Sequence, residues 1–122
     1  MKVWLQSSDF TSKEFELDLH ESIKLLKSHD WQAEHALMEE LDSAGKEHCP
    51  AGIGLVHESG RILHICPGTI TAIYHFHAPK KFLGVIPAGT RTITHEEYNL
   101  ANLPALLTSY FNEEWGRIEW AN

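Results

Sequence analysis

Nine histidines in 122 residues are the side chains best able to do chemistry in this chain. Imidazole titrates near neutral pH and serves as acid, base or metal ligand. Five of them, His57, His64, His75, His77 and His95, fall between residues 51 and 95. On a strand, His75-Phe-His77 turns both rings to one face. His64-Ile-Cys66 does the same with an imidazole and a thiol. Such donors suit zinc or a similar ion when they converge. Register decides whether they do. A tight turn at Pro67-Gly68 sets Cys66 opposite a residue near 70 and His64 opposite one near 72, which keeps the two pairs apart. His57, at the end of the strand that runs back beside the hairpin, is then the better companion. The candidate metal or acid/base set is therefore His57, His75 and His77, with zinc as the implied cofactor and Glu58, Arg61 or Lys81 near enough to stabilise charge. The competing reading is a set of hydrogen-bonded or exposed strand histidines with no cofactor.

Other routes to an enzyme fail. The chain has no Gly-x-Ser-x-Gly elbow and no His-Glu-x-x-His helix. Ser59-Gly60 reads as a turn. Gly52-Ile-Gly54 precedes a strand and opens no helix, so it lacks the helix N-terminus that would hold a phosphate. Its two glycines point instead to a close backbone approach or a tight entry into a sheet. Cys49 and Cys66 have no cysteine partner at metal-knuckle spacing. They read as reduced thiols.

Charge gives a second candidate surface. The net charge is −7. Residues 1–50 hold five basic and eleven acidic side chains, residues 51–95 four and one, and residues 96–122 one and five. Acidic flanks thus surround a mildly basic, histidine-bearing centre. Phosphate neutralisation needs clustered Lys and Arg, so direct nucleic-acid binding is not expected. A basic protein is the partner that opposite fields favour. The residues proposed to meet it are Glu34, Glu39, Glu40 and Asp42, off the apolar stripe of a helix, followed by Glu113 and Glu114.

The elements that position these groups are legible from pattern. Residues 53–57, 61–66, 69–77, 82–87 and 90–94 read as short strands. Turn residues separate them at 58–60, 67–68, 78–81 and 87–89, which predicts an antiparallel meander of about five strands. Val3 and Leu5 suggest a first strand with Trp4 on its other face. Phe15, Leu17 and Leu19 alternate with acidic residues, a half-buried strand or an extended lead into a helix. Asp18 and Glu21 form a capping box for a helix over 19–28. Asp30 caps a second helix that Gly45 ends, with Ala33, Leu37, Leu41 and Ala44 as its apolar stripe. Thr94-His-Glu-Glu97 looks like another capping box. Asn102 starts a third helix, with Leu103, Leu106, Leu107, Tyr110 and Phe111 on one side. Ile118 and Trp120 alternate with polar neighbours and predict a last strand. The fold class is α+β in one domain over residues 1–122: two N-terminal helices and one C-terminal helix on a mainly antiparallel sheet. Trp31 reads as core. The tail with Trp115 and Trp120 reads as core plugs or as a self-association interface, so the expected state is monomer or homodimer. No apolar run reaches membrane-spanning length and the first residues lack the apolar core of a leader, so the expected location is the cytoplasm without membrane attachment.

Taken whole, the chain resembles the small acidic immunity proteins that bacteria encode beside the secreted toxins of contact-dependent and type VI systems. The likeness is one of type: length, acidity, α+β architecture, aromatic content and no catalytic motif. It implies a non-enzymatic toxin inhibitor that covers the toxin's active site. Where that toxin is a nuclease, it implies an acidic surface that mimics nucleic acid.

Overall fold

The computed structural model describes residues 1–82 and 86–120. The chain runs β1 (Lys2–Gln6), β2 (Ser12–Glu16), α1 (Leu19–Ser28), α2 (Trp31–Ser43), β3 (Gly52–Val56), β4 (Ile62–Pro67), β5 (Thr71–Phe82), β6 (Ile86–Asn99), α3 (Leu103–Phe111) and α4 (Trp115–Glu119). The strands form one antiparallel sheet in the order β2-β1-β3-β4-β5-β6. The α+β class is as expected.

Strand alternation divides the residues between two faces. Val3, Ile53, Leu55, Leu63, Ile65, Tyr74 and Phe76 point one way and are fully buried. Leu26 of α1, Leu103, Leu106, Leu107 and Tyr110 of α3, and Ile118 of α4 join the same cluster. These helices therefore cover one face. Two tyrosine hydroxyls tie the layers together. Tyr110 donates to the carbonyls of Leu55 and Arg61 at 2.9 and 2.7 Å, and Tyr74 donates to that of Ile118. Each bond satisfies a hydroxyl that burial would otherwise leave unpaired.

The N-terminal helices form as their caps dictate. Asp18 accepts from Glu21 N–H at 2.8 Å, and the Glu21 carboxylate accepts from Asp18 N–H at 3.1 Å. Asp30 accepts from Ala33 N–H. Gly45 ends α2 at φ +69, with Gly45 N–H bonded to Asp42 O and Lys46 N–H to Leu41 O. That pairing needs a left-handed residue at Gly45, which glycine supplies without strain. The stripe of α2 differs from expectation: Ala33 and Ala44 are exposed, and Glu34 is the buried residue.

Among the described residues between 51 and 99 there are four strands where five were expected. Pairing of β5 with β4 ends at His77, but pairing with β6 continues to Phe82. Residues 78–82 thus belong to a two-stranded ribbon, where a proline such as Pro79 is tolerated. The breaks expected at 78–81 and 87–89 lie inside β5 and β6. The strand expected over 82–87 runs across residues 83–85, which lie outside the described residues. The expected capping box at 94–97 is strand too: Glu97 adopts φ +56 beside a shift in the β5–β6 register, which makes a bulge and not a helix start. The C-terminal segment is helix α4, not a strand. Trp115 and Ile118 stand three residues apart and both meet the core, the spacing of one helical turn. Trp120 is 80% exposed.

Candidate functional site

The second face of the sheet carries the chemistry. Trp4, Ile62, His64, Cys66, Ile73, His75 and His77 alternate with the core residues of their strands, so they point away from α1, α3 and α4. None belongs to the core cluster. All keep some solvent exposure, and Ile73 is 42% exposed.

A longer loop than expected brings the histidines together. Pro67 pairs with Ala72 and Gly68 N–H bonds Thr71 O, so residues 68–71 make the turn. His64 therefore stands opposite His75, and Ile62 opposite His77. The expectation that the two pairs stay apart rested on a two-residue turn and is corrected. His64 and His75 stack with ring centroids 6.0 Å apart, and His75 and His77 follow at 6.4 Å. Trp4 stacks on the other side of His64 at 6.0 Å. The result is a row of one indole and three imidazoles across β1, β4 and β5.

The paired glycines make room for this row. A Cβ on Gly54 would lie 2.0 Å from Trp4 Cζ2, and one on Gly52 would lie 2.8 Å from His64 Nε2. Bare backbone at both positions lets the rings lie over β3. The outer histidines are held from β6. His75 Nδ1 meets Thr94 Oγ1 at 2.9 Å and His77 Nδ1 meets Thr92 Oγ1 at 2.8 Å. Burial and the neighbouring His75 and His77 push the His64 pKa below the ordinary imidazole value. Burial and then His75 do the same to His77. Burial, with Cys49 nearby, raises the Cys66 thiol to about 11, so it stays protonated at neutral pH.

His57 does not join this row. It is buried on the opposite face, 5.0 Å from the Trp115 ring and 6.2 Å from Tyr110. The set His57, His75 and His77 is thus split by the sheet, and zinc on those three ligands has no geometric basis. Among the described residues, no group of three or more His, Cys, Asp or Glu side chains is placed to hold a metal ion.

The carboxylates also separate. Glu34 is only 8% exposed and accepts from Ser7 Oγ at 3.0 Å, with His29 Nε2 also at 3.0 Å. It ties α2 to the β1–β2 turn and is withdrawn from the proposed binding surface. Glu39, Glu40 and Asp42 are exposed, and Asp42 contacts His48 Nε2 at 3.2 Å. Glu113 reaches His57 Nε2 at 3.2 Å, and Glu114 pairs with Arg117 at 3.2 Å. These last two lie at the α3–α4 junction and are already engaged.

No family model, curated protein or solved structure matches this chain. A sheet face with a large indole, clustered imidazoles and two isoleucines, flanked on β1 and β2 by Lys2, Glu14 and Glu16, offers a broad contact surface. Sequence reasoning placed His75 and His77 on one face and Trp4 opposite the core. It missed His64 as their neighbour, and the signal was there: Gly68-Thr-Ile-Thr71 offers four residues for a turn, not two.

Proposed function

We propose that this chain is a non-enzymatic protein-binding domain that uses the sheet face opposite α1, α3 and α4 as its docking platform. The observation that carries the reading is the row Trp4–His64–His75–His77, seated over two glycines on a face outside the core cluster. Trp is a preferred anchor of binding hot spots, and clustered charge is unfavourable at their centres. The specific form is an immunity protein that neutralises a toxin. Its acidic helix α2 supports that form. Exposed Glu39, Glu40 and Asp42 supply a negative field that speeds encounter with a basic partner.

The test is partner capture from the source cytoplasm at low and high salt, with three forms of the chain. The unaltered chain is expected to retain a basic protein. Trp4→Ala with His75→Ala is expected to lose it at every salt concentration. Glu39→Lys, Glu40→Lys and Asp42→Lys together are expected to weaken capture mainly at low salt, as a steering field does. Equal capture by the unaltered and Trp4/His75 forms sinks the sheet-face reading. Equal capture by the charge-reversed form sinks the acidic-helix version.

A further inference from the structure

On the helical side of the sheet, a cavity of about 390 Å³ lies between the end of α1, the start of α3 and the β4–β5 turn. Its walls include Leu26, Trp31, Pro67, Leu103 and Pro104, with Lys27 beside them. We infer that it is a binding site for a medium-chain aliphatic carboxylate, with the chain in the cavity and the charge on Lys27.

The walls are apolar because the backbone groups behind them already have partners. Leu26 O accepts from Trp31 Nε1 at 2.8 Å, and Pro67 O accepts from His35 Nε2 at 2.8 Å. Pro104 O accepts from Thr108 Oγ1 at 2.8 Å. Leu103 N–H bonds Leu100 O, and Gly68 N–H bonds Thr71 O. What these groups present to the cavity is side-chain carbon and the indole ring. The space falls at the lower end of the range that small-ligand pockets take. At ~30 Å³ per non-hydrogen atom, the share of one water molecule in the liquid, it has room for about a dozen.

Charge selects the other end of the ligand. The chain has 17 acidic residues, yet none of the described ones lines this cavity. Lys27 is exposed at its mouth. A second cleft continues from Lys27 along α1, past Lys24 and His20, and it too has no carboxylate in its described lining. His20, Lys24 and Lys27 are spaced i, i+4 and i+7, so they share one side of the helix. Among the described residues neither lysine makes an ion pair. A cation suits the last turn of any helix. Here it also stands beside an apolar cavity, and the two together match an anion on an aliphatic tail.

The cavity does not overlap the proposed docking face. Leu26 and Leu103 belong to the core cluster on the other side of the sheet, whereas Trp4, His64, His75 and His77 do not. A carboxylate in the cavity therefore leaves the aromatic row free for a protein partner.

Decanoate, kept below its micelle-forming concentration, tests this by NMR on the intact chain labelled with nitrogen-15 tryptophan. The Trp31 indole N–H signal, assigned with Trp31→Phe, is expected to shift and saturate with one decanoate bound. The other three indole signals are expected to stay in place. Lys24→Ala with Lys27→Ala is expected to weaken binding about threefold to tenfold, and decan-1-ol is expected to bind the unaltered chain more weakly by a similar factor. Ala101→Phe, which puts a ring into the cavity from an exposed lining position, is expected to abolish binding. Lys24, Lys27 and Ala101 are all exposed, so these variants are expected to fold, and their unmoved indole signals check it. No saturable shift at Trp31, or a joint shift of all four indoles such as a detergent gives, overturns the site. Unchanged affinity in Ala101→Phe overturns the cavity as its place. Equal affinity for decan-1-ol, or in the double lysine variant, overturns the carboxylate.

Discussion

Gly54 shows how one missing Cβ shapes a whole face. Its neighbour across β1 is Trp4, whose indole occupies the space a side chain would need. Gly54→Ala puts a methyl group within 2.0 Å of the ring, so the indole must move or the strands must part. We predict a loss of about 1–3 kcal/mol, as overpacking costs, together with altered tryptophan fluorescence. Urea unfolding followed by emission reads both, and an unchanged midpoint and spectrum would show that the ring is not seated there. Cys66 gives a second residue-level prediction. With its pKa near 11, about one thiol in a thousand is ionised at pH 8. In a Cys49→Ser background, a disulfide reagent at pH 8 is expected to modify Cys66 far more slowly than in urea-unfolded chain. Similar rates in both would show that burial does not protect it.

The elements were readable where the local chemistry is self-contained. Asp18 with Glu21, and Asp30 with Gly45, announce both N-terminal helices because capping is satisfied within a few residues. Elements set by distant contacts were misread. Pro79 looked like a break because proline removes a ladder donor, but the ribbon beyond β4 makes that donor dispensable. Trp120 looked like a strand residue, yet the core selects Trp115 and Ile118 and coils the segment into α4. Glu34 looked like its acidic neighbours on α2 because nothing local reveals that Ser7 and His29 will surround it. The site was legible to the same degree: one strand's own alternation was readable, and the register between strands was not. The two kinds of carboxylate on α2 should separate in stability. Glu34→Ala leaves Ser7 Oγ and His29 without their acceptor, and we predict a loss of about 1–3 kcal/mol. Glu39→Ala should stay within about 0.5 kcal/mol, as exposed positions do. Chemical denaturation of the two variants side by side is sufficient. Equal effects would mean that the α2 tether carries no stability.

Across the whole molecule, two electrostatic effects oppose each other on acidification. The net charge of −7 is spread over the surface, and protonation relieves its mutual repulsion. The imidazole row pulls the other way. His64 and His77 have folded pKa values below the ordinary imidazole value, so the folded chain binds fewer protons than the unfolded one just below pH 6.5. The stability they contribute is complete above about pH 6.5 and is lost as pH falls through their folded values. The local effect should dominate, because the rings lie about 6 Å apart on a partly desolvated face, whereas exposed charges interact through water and are screened by salt. We predict a fall in unfolding free energy between pH 7 and pH 5, with a smaller slope in His77→Gln, which removes one titrating member. The comparison should be made at two salt concentrations. Added salt weakens the surface term far more than the row's own repulsion, so a slope that survives salt and shrinks in His77→Gln assigns it to the row. A slope that vanishes with salt and ignores His77→Gln would place the pH response on the acidic surface instead. The sheet face would then be no more pH-sensitive than the rest of the molecule.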